Sequence, residues 1–308
     1  MLPLFRSLEE VREAPFATLA IGFFDGLHRG HQAVILGEAL SEEAAQTLVF
    51  TFDPHPARIL RPDHAPPLLT GFPHKAKILE EWGVGGILAF PFTQERSQQE
   101  ATSFLKEVFL ALPWVQNVRV GVRWRFGHQR SGDTTLLAAV CRDQGVACRV
   151  VPDVMAGGLP VSSSRIREAV HRGDLADARD QLGRPYRLFG TVIEGQKLGR
   201  KLGFPTANLQ TEDECYPPSG VYAGWVITTD GTSHPSVMNL GTRPTVEENA
   251  GTMAEAHLLV GNYDLYGAKV FFEPIQFLRP TRRFAGLEEL SAAIRKDIQQ
   301  AHGVLGLS

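Results

Sequence analysis

The sequence predicts an α/β protein with two domains, a doubly wound parallel sheet followed by an antiparallel β-barrel with a terminal helix. Strand-like and helix-like segments alternate between residues 16 and about 151, a βαβα rhythm typical of parallel sheets. From residue 186 onward, strand-like segments follow one another across glycine and proline turns, which is typical of an antiparallel barrel or sandwich. The length of 308 residues fits roughly two domains.

The alternating segments define the elements of the first half. The predicted strands are residues 16–22, 46–52, 86–90, 118–120 and 147–151, and the predicted helices are residues 32–40, 75–82, 98–112 and 134–140. Ligands of such a sheet collect at the carboxyl ends of its strands. The segments that follow the strands are therefore the first candidates for a site.

The pattern changes near Gly183-Arg184-Pro185, which ends a helical stretch over residues 165–183. We therefore predict domains at residues 1–184 and 185–308. A last helix is predicted over residues 287–300, where apolar residues recur on one face. The predicted strands of the second half are residues 187–194, 221–228, 235–240, 254–260 and 268–277.

Composition and charge argue against several classes of function. The net charge of −3 gives no electrostatic footprint for nucleic acid or an anionic membrane. No run reaches the ~18 apolar residues of a membrane span, and the N-terminus lacks the pattern of a signal peptide. Cys141, Cys148 and Cys215 show no CxxC spacing, so we interpret them as buried apolar residues or spare thiols. We expect a cytoplasmic monomer or weak homo-oligomer without nucleic-acid or membrane partners.

The segment from Phe24 to His31 (FDGLHRGH) lies between a predicted strand and a predicted helix. His28 and His31 are three positions apart, so on the first turn of a helix they point to one side. A helix start also offers unpaired N–H groups to a phosphate, and Gly26 and Gly30 let the backbone come close to it. The alternative is two surface histidines at a helix start. The combination of residues favours a phosphate site.

Two further segments follow predicted strands. Residues 53–56 (DPHP) form a turn that two prolines stiffen, which can fix His55 toward the cleft. Residues 121–127 (GVRWRFG), with Arg130 and Asp133 beyond them, form an aromatic and arginine-rich loop suited to a flat ring or to phosphates. A structural turn and an ordinary charged loop around a core tryptophan are the alternatives.

Residues 161–167 (VSSSRIR) open another predicted helix. Good capping explains one serine. It does not explain Arg165 and Arg167 in the first turn, because positive charge opposes the helix dipole there. Three hydroxyls and two arginines at a helix start suit a polyphosphate.

The strongest pattern of the second half is residues 199–208 (GRKLGFPTAN). Two glycines flank two cations, so the backbone can fold around a phosphate tail. Thr206 and Asn208 share one side if that piece is extended, and their oxygens are suitable Mg²⁺ ligands. A tight β-turn is the alternative for any glycine-rich loop.

These segments resemble known families. Residues 24–31 resemble the HxGH signature of the nucleotidyltransferase superfamily, whose paired histidines stabilise a nucleotide triphosphate. Together with FDPHP, the VGxxxxFG loop and the SSxRIR-type segment, they are similar to the FMN adenylyltransferase module of bacterial bifunctional riboflavin kinase/FAD synthetases. That family usually carries an acidic or amide residue at the place of Arg123 and a phenylalanine at Trp124.

The second half resembles the riboflavin kinase module of the same family, and the GRKLGFPTAN string carries most of the likeness. Further matches are Pro218–Tyr222, Asn239–Thr245, Glu255–His257, Asp264–Gly267, Leu278-Arg279 and Phe284. The resemblance covers roughly residues 15 to 300. It implies a Rossmann-like nucleotidyltransferase sheet and a riboflavin kinase-like barrel, with ATP and Mg²⁺ as requirements. Riboflavin would be phosphorylated to FMN, and FMN would then be adenylylated to FAD and pyrophosphate.

The resemblance also implies roles for matched residues. The implied catalytic residues are His28, His31 and the base Glu255, and the implied metal ligands are Thr206 and Asn208. The implied ATP-binding residues are Gly22, Phe24, Asp25, Gly26, Gly30, Ser162, Ser163, Ser164, Arg165, Gly199, Arg200, Lys201, Gly203 and Pro205. The implied flavin-binding residues are His55, Pro56, Arg123, Phe126, Gly127, Asp133, Arg243 and Arg279.

Three other functions compete with this one. A monofunctional riboflavin kinase with a weakened adenylyltransferase lobe is supported by Arg123 and Trp124 alone. A different HxGH transferase does not explain the kinase-like second half. A non-enzymatic flavin-binding protein does not explain the triphosphate-handling residues of both halves.

Overall fold

The computed structural model describes residues 2–11, 16–37, 41–195, 203–211, 214–242, 252–261 and 263–307. The chain divides into two compact units, each with its own β-sheet and core. The first unit contains residues 1–67 and 72–163, and the second contains residues 68–71 and 164–308. The sequence-based boundary after residue 184 stays a prediction.

The first unit is built on a six-stranded parallel sheet with the order β1-β4-β3-β2-β5-β6. Its strands are β1 (Leu4–Phe5), β2 (Thr18–Ile21), β3 (Thr47–Asp53), β4 (Gly86–Pro91), β5 (Asn117–Gly121) and β6 (Ala147–Val151). The predicted parallel sheet is confirmed, with β1 as an addition because two residues are too short for a strand pattern. A short antiparallel hairpin, β7 (Met155–Ala156) and β8 (Leu159–Pro160), follows β6.

Helices cover both faces of this sheet. They are α1 (Arg29–Leu36), α2 (Ser41–Ala45), α3 (Pro56–Leu60), α4 (Phe72–Glu81), α5 (Gln94–Ser97), α6 (Ala101–Ala111) and α7 (Thr134–Asp143). Leu19 and Ile21 of β2 pack in one core with α6, whereas Ala20 packs in another with α1 and α4. Successive strand residues point to opposite faces, so a strand buried on both faces is apolar throughout.

The second unit is built on a closed antiparallel barrel with the strand order β10-β13-β12-β11-β14-β9. Its strands are β9 (Leu188–Ile193), β10 (Thr206–Thr211), β11 (Gly220–Thr228), β12 (Ser233–Thr242), β13 (Thr252–Leu258) and β14 (Lys269–Pro280). The predicted barrel is confirmed. Strand β10 is absent from the predicted set because Leu209 is its single large apolar residue, so the strand pattern is weak.

Helices accompany the barrel. The helical stretch before it consists of α8 (Ser163–Arg172) and α9 (Leu175–Leu182), separated at Gly173, where φ is 77°. The terminal helix α10 (Leu287–Leu305) packs on the outer face of the barrel, where Ala301 shares a core with Val221 and Val237. The predicted packing of the last helix on the barrel is therefore confirmed.

Two expectations concern the chain as a whole. Along the described ranges, no helix has the length and apolar character needed to cross a membrane. Cys141 and Cys215 are buried, Cys148 is half-buried, and none of these three described residues forms a disulfide. Burial raises the pKa of the Cys141 thiol to about 12, as expected for a cysteine that behaves as a small apolar residue.

Candidate active sites

The first candidate site lies on the turn between β2 and α1. Helix α1 begins at Arg29, earlier than the predicted start at Gln32, because His28 caps it: Nδ1 of His28 accepts the backbone N–H of His31 at 3.2 Å. In a neutral ring, that bond leaves the proton on Nε2, the edge suited to donate to an anion. The rings of His28 and His31 stack with centroids 3.5 Å apart. The structure thus brings both histidines together at a helix start, while their role stays a prediction.

Glycines make room for this arrangement. A Cβ added at Gly30 would lie 3.1 Å from Cε1 of His28, so glycine lets the imidazole fold back over the helix start. A Cβ at Gly22 would lie 2.8 Å from the ring of Phe24, which meets the His31 ring edge-on at 5.3 Å. Gly22 and Gly30 therefore serve side-chain packing, and the close approach of the backbone to a ligand at Gly26 and Gly30 stays a prediction.

The turn itself has an uncommon backbone. Phe24 and Leu27 have φ values of 50° and 41°, a region that non-glycine residues rarely adopt, and Gly26 has a φ of 86°. Phe24, Asp25 and Leu27 are also buried. Such a conformation persists only where its surroundings over-determine it, so the contacts that hold this turn belong to the site.

A buried lysine from α4 holds the turn. Lys75 is 5% exposed, and its Nζ donates to the carbonyl oxygen of Phe23 at 2.7 Å and to Oγ1 of Thr51 at 3.3 Å. Burial lowers the pKa of Lys75 to about 8, and the charges of Asp25 and Asp53 oppose part of that shift. Sequence reasoning missed Lys75, because a lysine in a helix-like segment usually lies in solvent.

The hydroxyl of Ser163 links the serine segment to this turn. Ser163, the first residue of α8, donates from Oγ to the carbonyl oxygen of Asp25 at 2.9 Å. Ser162 is half-buried and Ser164 is exposed. Within the second unit, the guanidinium of Arg165 lies 3.9 Å from a carboxylate oxygen of Asp177. The phosphate-binding roles of these residues stay predictions.

Two arginines of the loop after β5, Arg123 and Arg125, form ion pairs. Arg123 pairs with Asp153 at 2.7 Å, so a carboxylate offsets the positive charge that departs from the family pattern. Asp133 caps α7 and pairs with Arg125 at 3.2 Å. The backbone hydrogen bond from Leu136 is the main cause that holds the pKa of Asp133 below its usual range. Asp133 therefore has a structural role beside the flavin-binding role predicted for it.

The aromatic residues of the same loop pack inward. The ring of Phe126 is buried and stacks on that of Trp124, with centroids 4.2 Å apart and planes at 17°. Gly127 has a φ of 73°, and a Cβ there would come 2.6 Å from the backbone of Ala101. These contacts match the alternative of a loop around a core tryptophan. Flavin binding by Phe126 and Gly127 remains a prediction.

His55 and Pro56 start α3 close to the histidine-bearing turn. Nδ1 of His55 accepts the backbone N–H of Ala57 at 3.1 Å, and Pro56 is buried at the first helical position, where proline fits. The His55 ring lies 5.7 Å from that of Phe23, which is 38% exposed. An exposed aromatic ring beside the turn offers a surface to a flat ring system.

The second candidate site is a row of three polar residues on the outer face of the barrel. The register pairs Asn239 with Glu255, and Glu255 with Asn208. Directly paired residues of antiparallel strands point to one face with Cβ atoms ~5 Å apart, so the carboxylate lies between two amides. Asn239 also pairs with Val221, which packs in the core under α10. This amide–carboxylate row (Asn239, Glu255 and Asn208) therefore continues the face that α10 covers in part.

Both amides of the row have an unsatisfied oxygen. Oδ1 of Asn208 and Oδ1 of Asn239 are buried and make no hydrogen bond within the described residues. Gly195 lies against the Asn208 side chain, since a Cβ at Gly195 would come 2.2 Å from its Nδ2. Buried acceptors without donors are uncommon in native proteins, and such an acceptor is suited to a ligand donor or an ion. Asn239 was part of a matched segment, but sequence reasoning gave it no role.

Thr206 lies one pairing further along the same face. It pairs with His257, and His257 approaches the carbonyl oxygen of Pro205 with Nδ1 at 2.9 Å. Thr206 and Asn208 both belong to β10, two positions apart, so they share one side as expected. Gly203 has a φ of 84° in the segment that leads into β10, a conformation that favours glycine.

Arg279 lies two strands beyond Asn239 in the barrel, paired with Val221, which in turn pairs with Asn239. Its guanidinium donates to both carboxylate oxygens of the buried Asp297 of α10, at 2.8 and 2.7 Å, and to the carbonyl oxygen of Pro280 at 3.1 Å. A bidentate pair of this kind fixes geometry as well as adding energy. Arg279 therefore ties α10 to the barrel, and flavin binding by Arg279 stays a prediction.

Four predicted site residues, Gly199, Arg200, Lys201 and Arg243, lie outside the described residues. Within the described part of the chain, no group of three His, Cys, Asp or Glu side chains is arranged to hold a metal ion. The oxygens of Thr206 and Asn208, beside the carboxylate of Glu255, are the donors that suit Mg²⁺.

One unit offers a histidine pair on a phosphate-type helix start, and the other a carboxylate between amide oxygens on a barrel. These two arrangements are typical of a phosphate-transferring enzyme with two active centres. Two family models match it, a FAD synthetase model over residues 11–165 and a riboflavin kinase model over residues 182–305.

Curated relatives match over at least nine tenths of this chain. The bifunctional riboflavin kinase/FMN adenylyltransferase of Escherichia coli (strain K12) is 35% identical over 100% of this chain and 99% of its own length. That of Pseudomonas fluorescens is 37% identical over 98% of both chains, and that of Bacillus subtilis (strain 168) is 33% identical over 92% of this chain and 91% of its own. The chain belongs to the bifunctional riboflavin kinase/FMN adenylyltransferase family.

A solved structure shares the fold. It is described as "Crystal Structure of Macrolide-efflux Protein from Streptococcus pneumoniae" and superposes with a TM-score of 0.81 over 97% of this chain and 98% of that chain. The sequence identity is 23%, so the likeness concerns the arrangement of the backbone alone.

Proposed function

We propose that this chain carries out two consecutive steps of flavin cofactor synthesis. Its barrel transfers the γ-phosphoryl group of ATP to riboflavin, which gives FMN. Its parallel-sheet unit transfers AMP from a second ATP to FMN, which gives FAD and pyrophosphate. The observation that carries the proposal is that both matched domains occur in one chain and each keeps its own candidate site.

In the kinase step, Glu255 serves as the base. A carboxylate on the outer face accepts the proton of the ribityl 5′-hydroxyl as that oxygen attacks the γ-phosphorus. The amides of Asn208 and Asn239 flank the carboxylate on the two neighbouring strands and give it polar surroundings.

Thr206 and Asn208 are the residues proposed to hold Mg²⁺. The fit rests on the buried Oδ1 of Asn208, which lacks a donor among the described residues, and on the hydroxyl of Thr206 on the same side of β10. Bound Mg²⁺ would neutralise charge on the transferred phosphoryl group. Residues 199–203, which include Gly199, Arg200, Lys201 and Gly203, are proposed to hold the nucleotide phosphates, with Pro205 beside them.

In the adenylyl transfer step, His28 and His31 neutralise the triphosphate. Nε2 of His28 is the donor edge, because Nδ1 is occupied by the helix cap. As negative charge moves to the leaving pyrophosphate, preorganised donors at this turn stabilise it more than they stabilise bound ATP. Arg165 and the hydroxyls of Ser162, Ser163 and Ser164 are proposed to assist.

The flavin of the second step is proposed to lie beside the exposed aromatic surface at the turn. His55 and Phe23 supply that surface, and the loop with Arg123 and Asp133 follows a strand of the same sheet. Arg243 and Arg279 remain the proposed flavin contacts of the kinase step. We further propose a cytoplasmic monomer or weak homo-oligomer.

Glu255→Gln tests the assignment of two separate centres. Loss of the base should lower riboflavin phosphorylation by at least about 100-fold, while FAD formation from supplied FMN stays at the wild-type rate. Chromatographic separation of riboflavin, FMN and FAD measures both activities in one sample.

Glu288→Gln is the matched control, since Glu288 is an exposed carboxylate in the first turn of α10. It should leave both activities unchanged. If Glu255→Gln lowered both activities together in a folded protein, or lowered neither, the assignment of Glu255 to a separate kinase centre would be wrong.

A further inference from the structure

Asn239 occupies a position in the barrel that the predicted machinery does not use. It lies directly beside Glu255, on the side opposite Asn208. The neighbours of Asn239 along β12, Met238 and Leu240, are fully buried and point to the other side of the sheet. The amide is therefore held on the outer face by a strand whose inward residues fix its register.

The chemistry of this amide is unusual for a structural residue. Its Oδ1 is buried and accepts no hydrogen bond from the described residues. Leaving a buried acceptor without a donor costs stability. An apolar side chain at the same place would avoid that cost and extend the apolar patch that begins with Val221 and Val237 under α10. A costly polar group next to a carboxylate is the kind of local conflict found at functional sites.

The position of Asn239 limits which hydrogen-bond donors can reach its Oδ1. An acceptor-only oxygen takes an O–H or N–H donor. Glu255, the proposed base, is directly paired with Asn239. The donor to Asn239 would therefore lie about 5 Å from the hydroxyl that attacks ATP. A vicinal hydroxyl of the ribityl chain and a water bound to the metal are both O–H donors placed to reach it.

We propose that Asn239 is a substrate-positioning residue of the kinase centre, whose Oδ1 accepts a hydrogen bond from an O–H donor of the loaded site. The donor is a ribityl hydroxyl next to the reacting one or a water held by the divalent cation. The bond appears only when the site is loaded, and it fixes the reacting hydroxyl against Glu255. This inference rests on the proposed riboflavin kinase function.

Asn239→Ala is the direct test, carried out on the full chain with riboflavin, ATP and Mg²⁺. Losing one positioning hydrogen bond should lower kcat/KM for riboflavin by roughly tenfold. FAD formation from supplied FMN should stay at the wild-type rate. The melting temperature of the variant should stay the same or rise, because the substitution removes an unsatisfied buried acceptor.

The combination of a slower kinase and an unimpaired melting temperature separates positioning from a structural role, which would lower both. Asn239→Leu, of similar size to asparagine, should give the same pattern. Gln210→Ala is the control, since Gln210 is an exposed amide on β10, and it should change neither quantity. A wild-type kcat/KM in both Asn239 variants would overturn the proposal, as would a loss of activity that only follows a loss of stability.

Two titrations distinguish the donors. If the donor is a ribityl hydroxyl, KM for riboflavin rises in Asn239→Ala and the Mg²⁺ concentration for half-maximal activity does not change. If the donor is a metal-bound water, that Mg²⁺ concentration rises and KM for riboflavin does not change. The proposed function fails separately, because it would show as absent riboflavin phosphorylation in the wild-type chain.

Discussion

The two candidate sites are held in place by different means. The histidine-bearing turn depends on backbone conformation: φ is positive at Phe24, Gly26 and Leu27, and a buried lysine clamps the carbonyl of Phe23. The amide–carboxylate row depends on strand register, which sets Asn239, Glu255 and Asn208 side by side. A turn can be disturbed by one added carbon, whereas a register shared by several strands resists single substitutions away from the row.

This difference separates the two kinds of variant expected to harm each centre. Adenylyl transfer should be sensitive to residues that shape the turn, such as Gly30 and Lys75, in addition to the side chains that hold the triphosphate. Phosphorylation of riboflavin should be sensitive mainly to the residues of the row itself. Since both reactions are measured in one chain, each serves as the internal reference for the other.

Gly30→Ala is expected to have the largest effect. The new Cβ would lie 3.1 Å from Cε1 of His28, so the imidazole has to move by a few tenths of an ångström or more. A misplacement of a catalytic group by about 1 Å costs about 100-fold in rate, and this is the upper limit for the substitution. FAD formation from FMN should therefore fall by up to about 100-fold, measured as initial rate, while phosphorylation of riboflavin keeps its wild-type rate.

Gly303→Ala is the matched control for that substitution. Gly303 also lies within a helix, and a Cβ there meets no atom within 4 Å. Alanine should raise helix stability by up to about 1 kcal/mol and leave both activities unchanged. If Gly30→Ala kept the wild-type rate of FAD formation, packing against His28 would not be what the glycine provides.

Lys75→Met is expected to have the second-largest effect on FAD formation, because it removes the hydrogen bond that holds the turn. Methionine keeps much of the volume but cannot donate to the carbonyl oxygen of Phe23. A freer turn should lower kcat for FAD formation by about 10-fold to 30-fold, since the histidines lose part of their preorganisation. Initial rates with FMN and ATP, fitted for kcat and KM, measure this effect.

Lys77→Met on the same helix is the control. Lys77 pairs with Glu80 at 3.2 Å on the exposed side of α4, and such pairs contribute little. It should leave both activities unchanged. Equal rates of FAD formation in Lys75→Met and the wild type would show that the turn keeps its conformation without the clamp.

The same contrast explains how much the sequence could predict. Register-based features were predictable in part: alternation and turn spacing predict the barrel, and the family resemblance marks Glu255. The place of Asn239 beside Glu255 was not predictable, because it depends on which residues of β12 and β13 are opposite each other. Strand β10 was not predicted from the sequence, because polar residues that suit a functional site weaken the apolar strand pattern.

In the first unit, sequence pattern predicts the histidine pair at a helix start but not the cap that moves α1 to Arg29. A histidine is not among the preferred capping residues, so His28 gave no boundary signal. Lys75 gave no signal either, because burial of a lysine depends on tertiary packing. Arg123 was a visible departure from the family pattern, but its partner Asp153 comes from a distant part of the chain.

The buried lysine also predicts a pH dependence of stability, the smallest effect, and one confined to the first unit. The pKa of Lys75 is about 8 in the folded chain and 10.5 in its ordinary state. Between these values the unfolded chain binds a proton that the folded chain does not, so the free energy of unfolding rises with pH, by up to about 1.4 kcal/mol per pH unit. Below pH 8 both states carry the charge and this contribution is constant.

Urea unfolding followed by tryptophan fluorescence at pH 8, 9 and 10 should show this rise in the wild type relative to Lys75→Met. Parallel curves for the two proteins would mean that the lysine keeps its ordinary pKa and that the turn is not clamped by a desolvated charge.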